Sequence, residues 1–309
     1  MKELIQIGES ALDKAGCMDP KIDAELIMMF MLSMNRQQLF IKSPNLLDEK
    51  TCEAYFKLID VRAGGTPVQY ITGEQEFMGI SFIVNENVLI PRQDTETLVE
   101  EVIREVKEGT AQNKAPRSGY QILDLCCGSG AIGVSLCKHL EDVKVTAADV
   151  SDKAIAVAKM NAQNAGVGKR MKFLAGDLFC SLRKGIGGTK FHMIVSNPPY
   201  IKRDVIPTLQ REVAEHEPML ALDGGEDGLD FYRRIIKEAP DYLKPNGLLF
   251  LEIGHDQGEA VCVLAEDTDR FEDLQIIKDL PGLDRVVRCR LKAPVKTSRR
   301  KKKEKKVLA

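Results

Sequence analysis

The sequence predicts an α/β protein whose larger part is a parallel sheet wound with helices on both faces, preceded by a small helical unit. Three observations carry this. From residue 121 onward, short apolar runs alternate with helical patterns, as in a doubly wound sheet. The first of these runs ends in Asp124-Leu125-Cys126-Cys127-Gly128-Ser129-Gly130, a glycine-rich turn into a helix. A later one ends in Val195-Ser196-Asn197-Pro198-Pro199-Tyr200, where two prolines forbid ladder pairing and stop the strand at Asn197.

Taken in order, residues 4–15 place Leu4, Ile7, Ala11 and Leu12 at helical spacing, with Gly16 as the stop. Asp19-Pro20 opens a second helix through Ala24, Ile27, Met28 and Met31, a methionine cluster that reads as core. Segments 36–41 and 48–62, closed by Gly64-Gly65, complete a helical domain over residues 1–66. Tyr70-Ile71 and Glu76 to Val84, punctuated by Gly73 and Gly79, read as a β-hairpin linker over 67–86. Asp94 or Thr95 caps a helix through Leu98, Val102 and Val106, and polar residues 107–119 read as a loop. Strands follow at 121–125, 143–148, 172–174, 192–195, 248–253, 274–277 and 286–291, with helices between most of them, giving a larger domain over 87–292.

A chain of 309 residues holds about two domains with cores of their own. Its longest apolar run, Leu26 to Leu32, falls far short of the roughly 20 residues of a membrane helix. Acids at 3, 9 and 13 argue against a secretory signal, so a cytoplasmic protein is expected. The eight cysteines include no C-x-x-C pair and only four histidines accompany them, so no metal site is expected. Net charge is −2, but Lys296 to Ala309 carries +7, which leaves −9 on the rest. An acidic body argues against a broad nucleic-acid surface. Residues 293–309 read as a basic, disordered tail, the one segment with charge suited to RNA. Nothing in the sequence calls for a partner subunit, and a monomer is expected.

Residues 128–133 match G-x-G-x-x-G, and Asp149 follows at the end of the next strand, where an acid grips a ribose diol. A nicotinamide-dependent oxidoreductase shows the same features. Two acids favour S-adenosylmethionine instead. Asp124, beside the turn, repels a pyrophosphate but suits a ligand with an ammonium and a sulfonium. Asp177, after the third strand, suits an adenine amino group. The Asn197-Pro198-Pro199-Tyr200 loop offers one side-chain amide, one backbone carbonyl and one ring in stiff geometry, which fits an acceptor bearing NH2. A non-catalytic module with a decayed loop is the bland alternative.

Together these motifs resemble the class I S-adenosylmethionine-dependent methyltransferases, and more narrowly the release factor glutamine N5-methyltransferases. The similarity runs from about residue 4 to 291. It includes Ile90-Pro91-Arg92-Gln93-Asp94-Thr95-Glu96, Glu215-His216-Glu217-Pro218, Ala221-Leu222-Asp223-Gly224-Gly225-Glu226-Asp227-Gly228 and Leu251-Glu252-Ile253-Gly254. The resemblance implies a Rossmann-like seven-stranded methyltransferase domain behind a helical substrate-recognition domain. It implies methylation of the glutamine of a Gly-Gly-Gln motif in class 1 peptide chain release factors. Cofactor-binding residues would be Cys126, Cys127, Gly128, Ser129, Gly130, Asp149, Asp177, Leu178 and Asn197. Catalysis and substrate binding would fall to Asn197, Pro198, Pro199 and Tyr200, with Arg92 also on the substrate. Cys126, Gln93 and Leu178 depart from the family's glycine, proline and aromatic. An adenine amino group in nucleic acid, or a ribosomal-protein glutamine, is the alternative acceptor.

Overall fold

The computed structural model describes residues 1–41, 47–112, 116–182 and 188–293. The tail expected over 293–309 lies, beyond Ala293, outside the described residues. Helices α1 (Lys2–Lys14), α2 (Pro20–Leu32), α3 (Arg36–Ile41) and α4 (Glu49–Ala63) form the amino-terminal unit. Leu12, Ala24, Ile27, Met28, Tyr55 and Ile59 close its core. Asp48 caps α4 by accepting from the Thr51 N–H at 2.7 Å.

The expected hairpin differs at its start. Tyr70 and Ile71 lie in a short helix, α5 (Val68–Thr72), entered from Pro67, and only β1 (Glu74–Phe77) and β2 (Ile80–Ile83) pair antiparallel. Pro67 holds a φ of −54° that suits a helix entry, and that outweighs the strand preference of a tyrosine and an isoleucine. Next, α6 (Asp94–Ala111) starts after Gln93, whose side chain makes no cap, and it runs five residues into the stretch read as loop. Thr95, expected as a cap, has another use described below.

The sheet then builds through β3 (Tyr120–Leu125), α7 (Ala131–His139), β4 (Val143–Asp149), α8 (Asp152–Asn164), β5 (Met171–Ala175) and β6 (Phe191–Ser196). After it come short helices α9 (Arg211–His216) and α10 (Met219–Leu222), then α11 (Asp230–Glu238), β7 (Leu243–Glu252), α12 (Gly258–Glu266), β8 (Phe271–Lys278) and β9 (Asp284–Leu291). Leu243 begins β7, and the pairing of β6 with β7 shifts register between Phe191 and Met193, where Pro245 is tolerated.

Strand order is β5-β4-β3-β6-β7-β9-β8, parallel through β7 and antiparallel at β9 and β8. The alternation of side chains fills both faces. Ile122, Met193, Val195 and Phe250 pack under α6 and α7, and Leu123, Ile194, Leu249 and Leu251 under α11 and α12. The chain leaves β3 in one direction through β4 and β5, then returns to β6 on its other side. Such a switch in strand order opens a crevice at the carboxyl ends of the two central strands.

Register decides what stands in that crevice. Leu125 pairs with Ala148 on β4 and with Ser196 on β6, and Ser196 pairs with Leu251 on β7. The next residues, Cys126, Asp149, Asn197 and Glu252, therefore leave the sheet at one level.

Candidate active site

A cavity of about 110 Å³, partly open to solvent, lies at this level. Cys126, Gly128, Asp149, Asp177, Leu178 and Asn197 reach its wall, and Val150 and Phe231 add apolar surface. The other predicted loop residues stand behind the wall. Cys127 packs into an apolar cluster with Ala147, Ile155 and Ala158, and Ser129 is buried. Gly130 starts α7 at φ +80°, and a Cβ there would crowd Ala158 at 3.0 Å.

The loop is held largely by its own neighbourhood. The Gly128 N–H donates to Asp149 Oδ2 at 2.8 Å and the Ser151 N–H to Oδ1 at 2.9 Å. Burial still pushes the Asp149 carboxyl above the usual range, because those backbone donors only partly repay its lost hydration. Cys126 takes φ +57°, a left-handed value uncommon for a residue with a side chain. Burial raises its thiol, so it is no reactive thiolate.

Two expectations change here. Asp124, read as a charge facing the ligand, is fully buried away from the cavity, where its Oδ2 accepts the Gly133 N–H at 3.0 Å inside the first turn of α7. Burial lifts its carboxyl to about 8, so it steadies the loop rather than touching a cation. Asp177 is at the wall, but its Oδ2 is engaged by Arg234 at 2.5 Å.

Asn197 sits on the opposite wall. Its Nδ2 donates to Thr95 Oγ1 at 3.2 Å, which leaves Oδ1 as the open acceptor of that amide. Pro198 is buried behind it, Pro199 meets the cavity, and Tyr200 packs partly buried against the α11 side of the sheet. The Tyr200 carbonyl accepts from Gln257 Nε2 at 3.0 Å. Ile201 then bridges the segment of Leu222 to Gly224 through both its N–H and its carbonyl. Glycines at 224 and 228 let that segment press on the Tyr200 backbone. A Cβ on Gly224 would lie 2.7 Å from the Tyr200 Cα, and one on Gly228, at φ +77°, would overlap its carbonyl oxygen.

Arg92 is not on this wall. It pairs with the buried Glu217 at 2.6 Å and lines a separate groove with Pro67, Gln69, Gln210 and Val213. That groove lies between the linker and the sheet domain, and its Glu212 pairs at 2.7 Å with Arg62 of the amino-terminal unit, which Asp23 holds at 2.6 Å. Residues that sequence reasoning missed do similar bracing. Asn161 on α8 exchanges hydrogen bonds with the Ile83 backbone and donates to the Ser129 carbonyl at 2.9 Å, tying the hairpin to the glycine loop.

Among the described residues, no group of three or more His, Cys, Asp or Glu is placed to hold a metal, and no helix is long and apolar enough to cross a membrane. The sheet order, the turn after β3 and the acid at the end of β4 define a Rossmann-like methyltransferase. In agreement, residues 3–73 match the PrmC N-terminal domain and residues 110–225 the methyltransferase small domain. The release factor glutamine methyltransferase of Clostridium acetobutylicum is 41% identical over 266 residues, covering 86% of this chain and 89% of that one. That of Moorella thermoacetica is also 41% identical, over 90% and 95% of the two chains. The chain belongs to this family, and it is a methyltransferase. The crystal structure of the hMettl16 catalytic domain in complex with the MAT2A 3'UTR hairpin 6 shares the fold, at a TM-score of 0.52, 14% identity and coverage of 76% and 81%.

Proposed function

We propose that the protein transfers a methyl group from S-adenosylmethionine to the side-chain amide nitrogen, N5, of the glutamine in the Gly-Gly-Gln motif of class 1 peptide chain release factors, in the cytoplasm. The observation that carries this reading is Asn197. It stands on the same cavity as Asp149 and the glycine loop, with its Nδ2 engaged and its Oδ1 open. An acceptor oxygen there suits a nitrogen with hydrogens to give, and the family's substrate supplies one.

The lining of the cavity suits the cofactor in its chemistry. Asp149, with both oxygens already ordered, retains lone pairs for a ribose diol. Leu178, Val150 and Phe231 offer apolar walls to a purine, and Asp177 Oδ1 suits its amino group. When bound, S-adenosylmethionine supplies an electrophilic sulfonium methyl.

A carboxamide nitrogen is a weak nucleophile because its lone pair is delocalised. The protein's task is to hold both of its hydrogens and aim it. Asn197 Oδ1 and the Pro198 carbonyl accept one N–H each, and Tyr200 supports the amide plane. The two carbonyl dipoles stabilise the positive charge that grows on nitrogen during transfer. The surplus proton then leaves to water, since a methylated amide nitrogen is strongly acidic. Residues 1–66 and the groove bearing Arg92 and Gln69 are assigned to the release factor, the linker 67–86 to joining, and 87–292 to catalysis.

The test is incubation with S-adenosylmethionine and either a recombinant release factor or nucleic acid, followed by mass mapping. A gain of one methyl on the Gly-Gly-Gln peptide is expected. Methyl transfer to nucleic acid alone would replace this reading with that of a base methyltransferase.

A further inference from the structure

Glu252 is the odd residue at the crevice. It ends β7 one position beyond the Leu251–Ser196 pair, at the level of Asn197, and only 1% of it is exposed. Thr95 and Asn197 face its carboxyl, while Oε2 is buried with no partner among the described residues. The fold takes only its backbone, through the Tyr232 hydroxyl, which donates to its carbonyl at 2.9 Å, and through pairing with Val286. A buried carboxyl is costly in such a place, and an apolar residue of similar size would pack there at less cost.

We propose that Glu252 is a positioning residue for methyl transfer, accepting from Thr95 Oγ1 and Asn197 Nδ2 so that Asn197 presents Oδ1, rather than Nδ2, to the acceptor nitrogen. The inference rests on the reading of Asn197 as the acceptor of the substrate amide. The two ends of an asparagine amide are nearly alike in shape and differ in hydrogen bonding. Thr95 cannot choose between them alone, because a hydroxyl both donates and accepts. A carboxylate only accepts. Beside Glu252, the Thr95 hydrogen is directed to the acid, and the oxygen's lone pair is left for Asn197 Nδ2, as the 3.2 Å bond has it. With the amide reversed, Oδ1 would face a carboxylate and Nδ2 would meet the substrate's own N–H.

The device fails when the acid gains a proton, since a carboxylic acid also donates. Asp94 and Thr95 on α6, Asn197 and Tyr200 after β6, Arg285 on β9 and Tyr232 on α11 surround the group. Burial dominates, and with Asp94 it outweighs Thr95, Arg285 and Asn197, lifting the carboxyl to about 7. Orientation is therefore lost as pH falls through that value.

The experiment compares wild type, Glu252→Gln and Glu252→Ala by three readings. These are S-adenosylhomocysteine affinity by calorimetry, kcat on a release factor across pH, and the side-chain amide NMR signals of Asn197, assigned with Asn197→Ala. Wild-type kcat should rise with pH through a midpoint near 7, and the Asn197 signals should titrate with it. Glu252→Gln, which keeps an acceptor and has no proton to gain, should lose both pH dependences and retain much of the high-pH rate. Glu252→Ala should bind S-adenosylhomocysteine within about twofold of wild type yet turn over about a hundredfold more slowly, as for a misplaced reacting group. Wild-type kcat in Glu252→Ala, or an Asn197 titration that persists in Glu252→Gln, overturns the proposal. If wild type transfers no methyl to the release factor, the substrate reading fails, and the Asn197 titration alone decides the role of Glu252.

Discussion

The two walls of the crevice are built by different means. On the cofactor wall, the partners are near in sequence: Gly128 and Asp149 are 21 residues apart, and Asp149 and Ser151 two. On the acceptor wall, Asn197 is held by Thr95 at a separation of 102 residues, and Tyr200 by Gln257 at 57. The glycine-loop part of the first wall is a property of a single strand–turn–helix–strand stretch, and the acceptor wall exists only once the whole sheet is assembled. Damage to the first should therefore show in cofactor affinity. Damage to the second should show in turnover.

The sharpest way to break that division is Asn197→Ala. It deletes one of the two acceptors proposed for the substrate amide, a loss of about 2–4 kcal/mol in the barrier by analogy with removing one oxyanion-hole group. Turnover should fall about a hundredfold or more, and S-adenosylhomocysteine affinity by calorimetry should stay within about threefold. Equal losses in both would mean that the walls are not separate.

Asp149→Ala is the converse. It removes a carboxylate that orders the Gly128 and Ser151 N–H groups and is proposed to receive a ribose. Hydrogen bonds to a charged group contribute about 1.5–3 kcal/mol, so affinity should weaken ten- to hundredfold. At saturating cofactor, kcat should recover most of its wild-type value. A kcat that stays low at saturation would tie this acid to the acceptor wall as well.

Gly228→Ala tests the long-range bracing without touching the crevice. Its Cβ would overlap the Tyr200 carbonyl oxygen and come within 2.7 Å of Gln257 Nε2, at a φ that already disfavours a side chain. Overpacking of this kind costs about 1–3 kcal/mol. The melting temperature should drop and turnover with it, while cofactor affinity per folded molecule is kept. An unchanged kcat would show that Tyr200 need not be held from behind.

The same contrast explains what the sequence discloses. Asn197 is legible because two prolines end its strand, and Asp149 because an acid at a strand end after a glycine turn has few other uses. Both signals are local. Thr95 looks like a helix cap, and it is only the return of β6 beside β3 that brings Asn197 to it. Strand order is settled by sheet assembly, not by any single run of residues, so the shared level of Cys126, Asp149, Asn197 and Glu252 is invisible beforehand. Leu251-Glu252-Ile253-Gly254 and the glycines of 224–228 were recognisable as motifs, but their work on Asn197 and Tyr200 needs contacts across the sheet. Asp124 misleads for a related reason: its position beside the turn suggests a ligand, whereas strand alternation turns it into α7.

Cys126→Gly should give the smallest effect, and it refines the comparison from the cofactor side. A side chain at φ +57° carries strain of about 1–2 kcal/mol, which glycine relieves. Against this, glycine widens the unfolded ensemble, an offset of about 0.4–1 kcal/mol. The cysteine side chain also packs against the cluster that holds Leu178 and Ile194, a contact that glycine gives up. These contributions nearly cancel, so the melting temperature should move by no more than about 2 °C, the shift that about 0.5–1 kcal/mol produces in a chain of this size. S-adenosylhomocysteine affinity should change by less than about threefold, because Gly128 N–H and Asp149, which fix the turn, are untouched. A large gain in affinity would mean that the Cys126 side chain, not the backbone of its turn, limits how closely a ligand approaches the first strand.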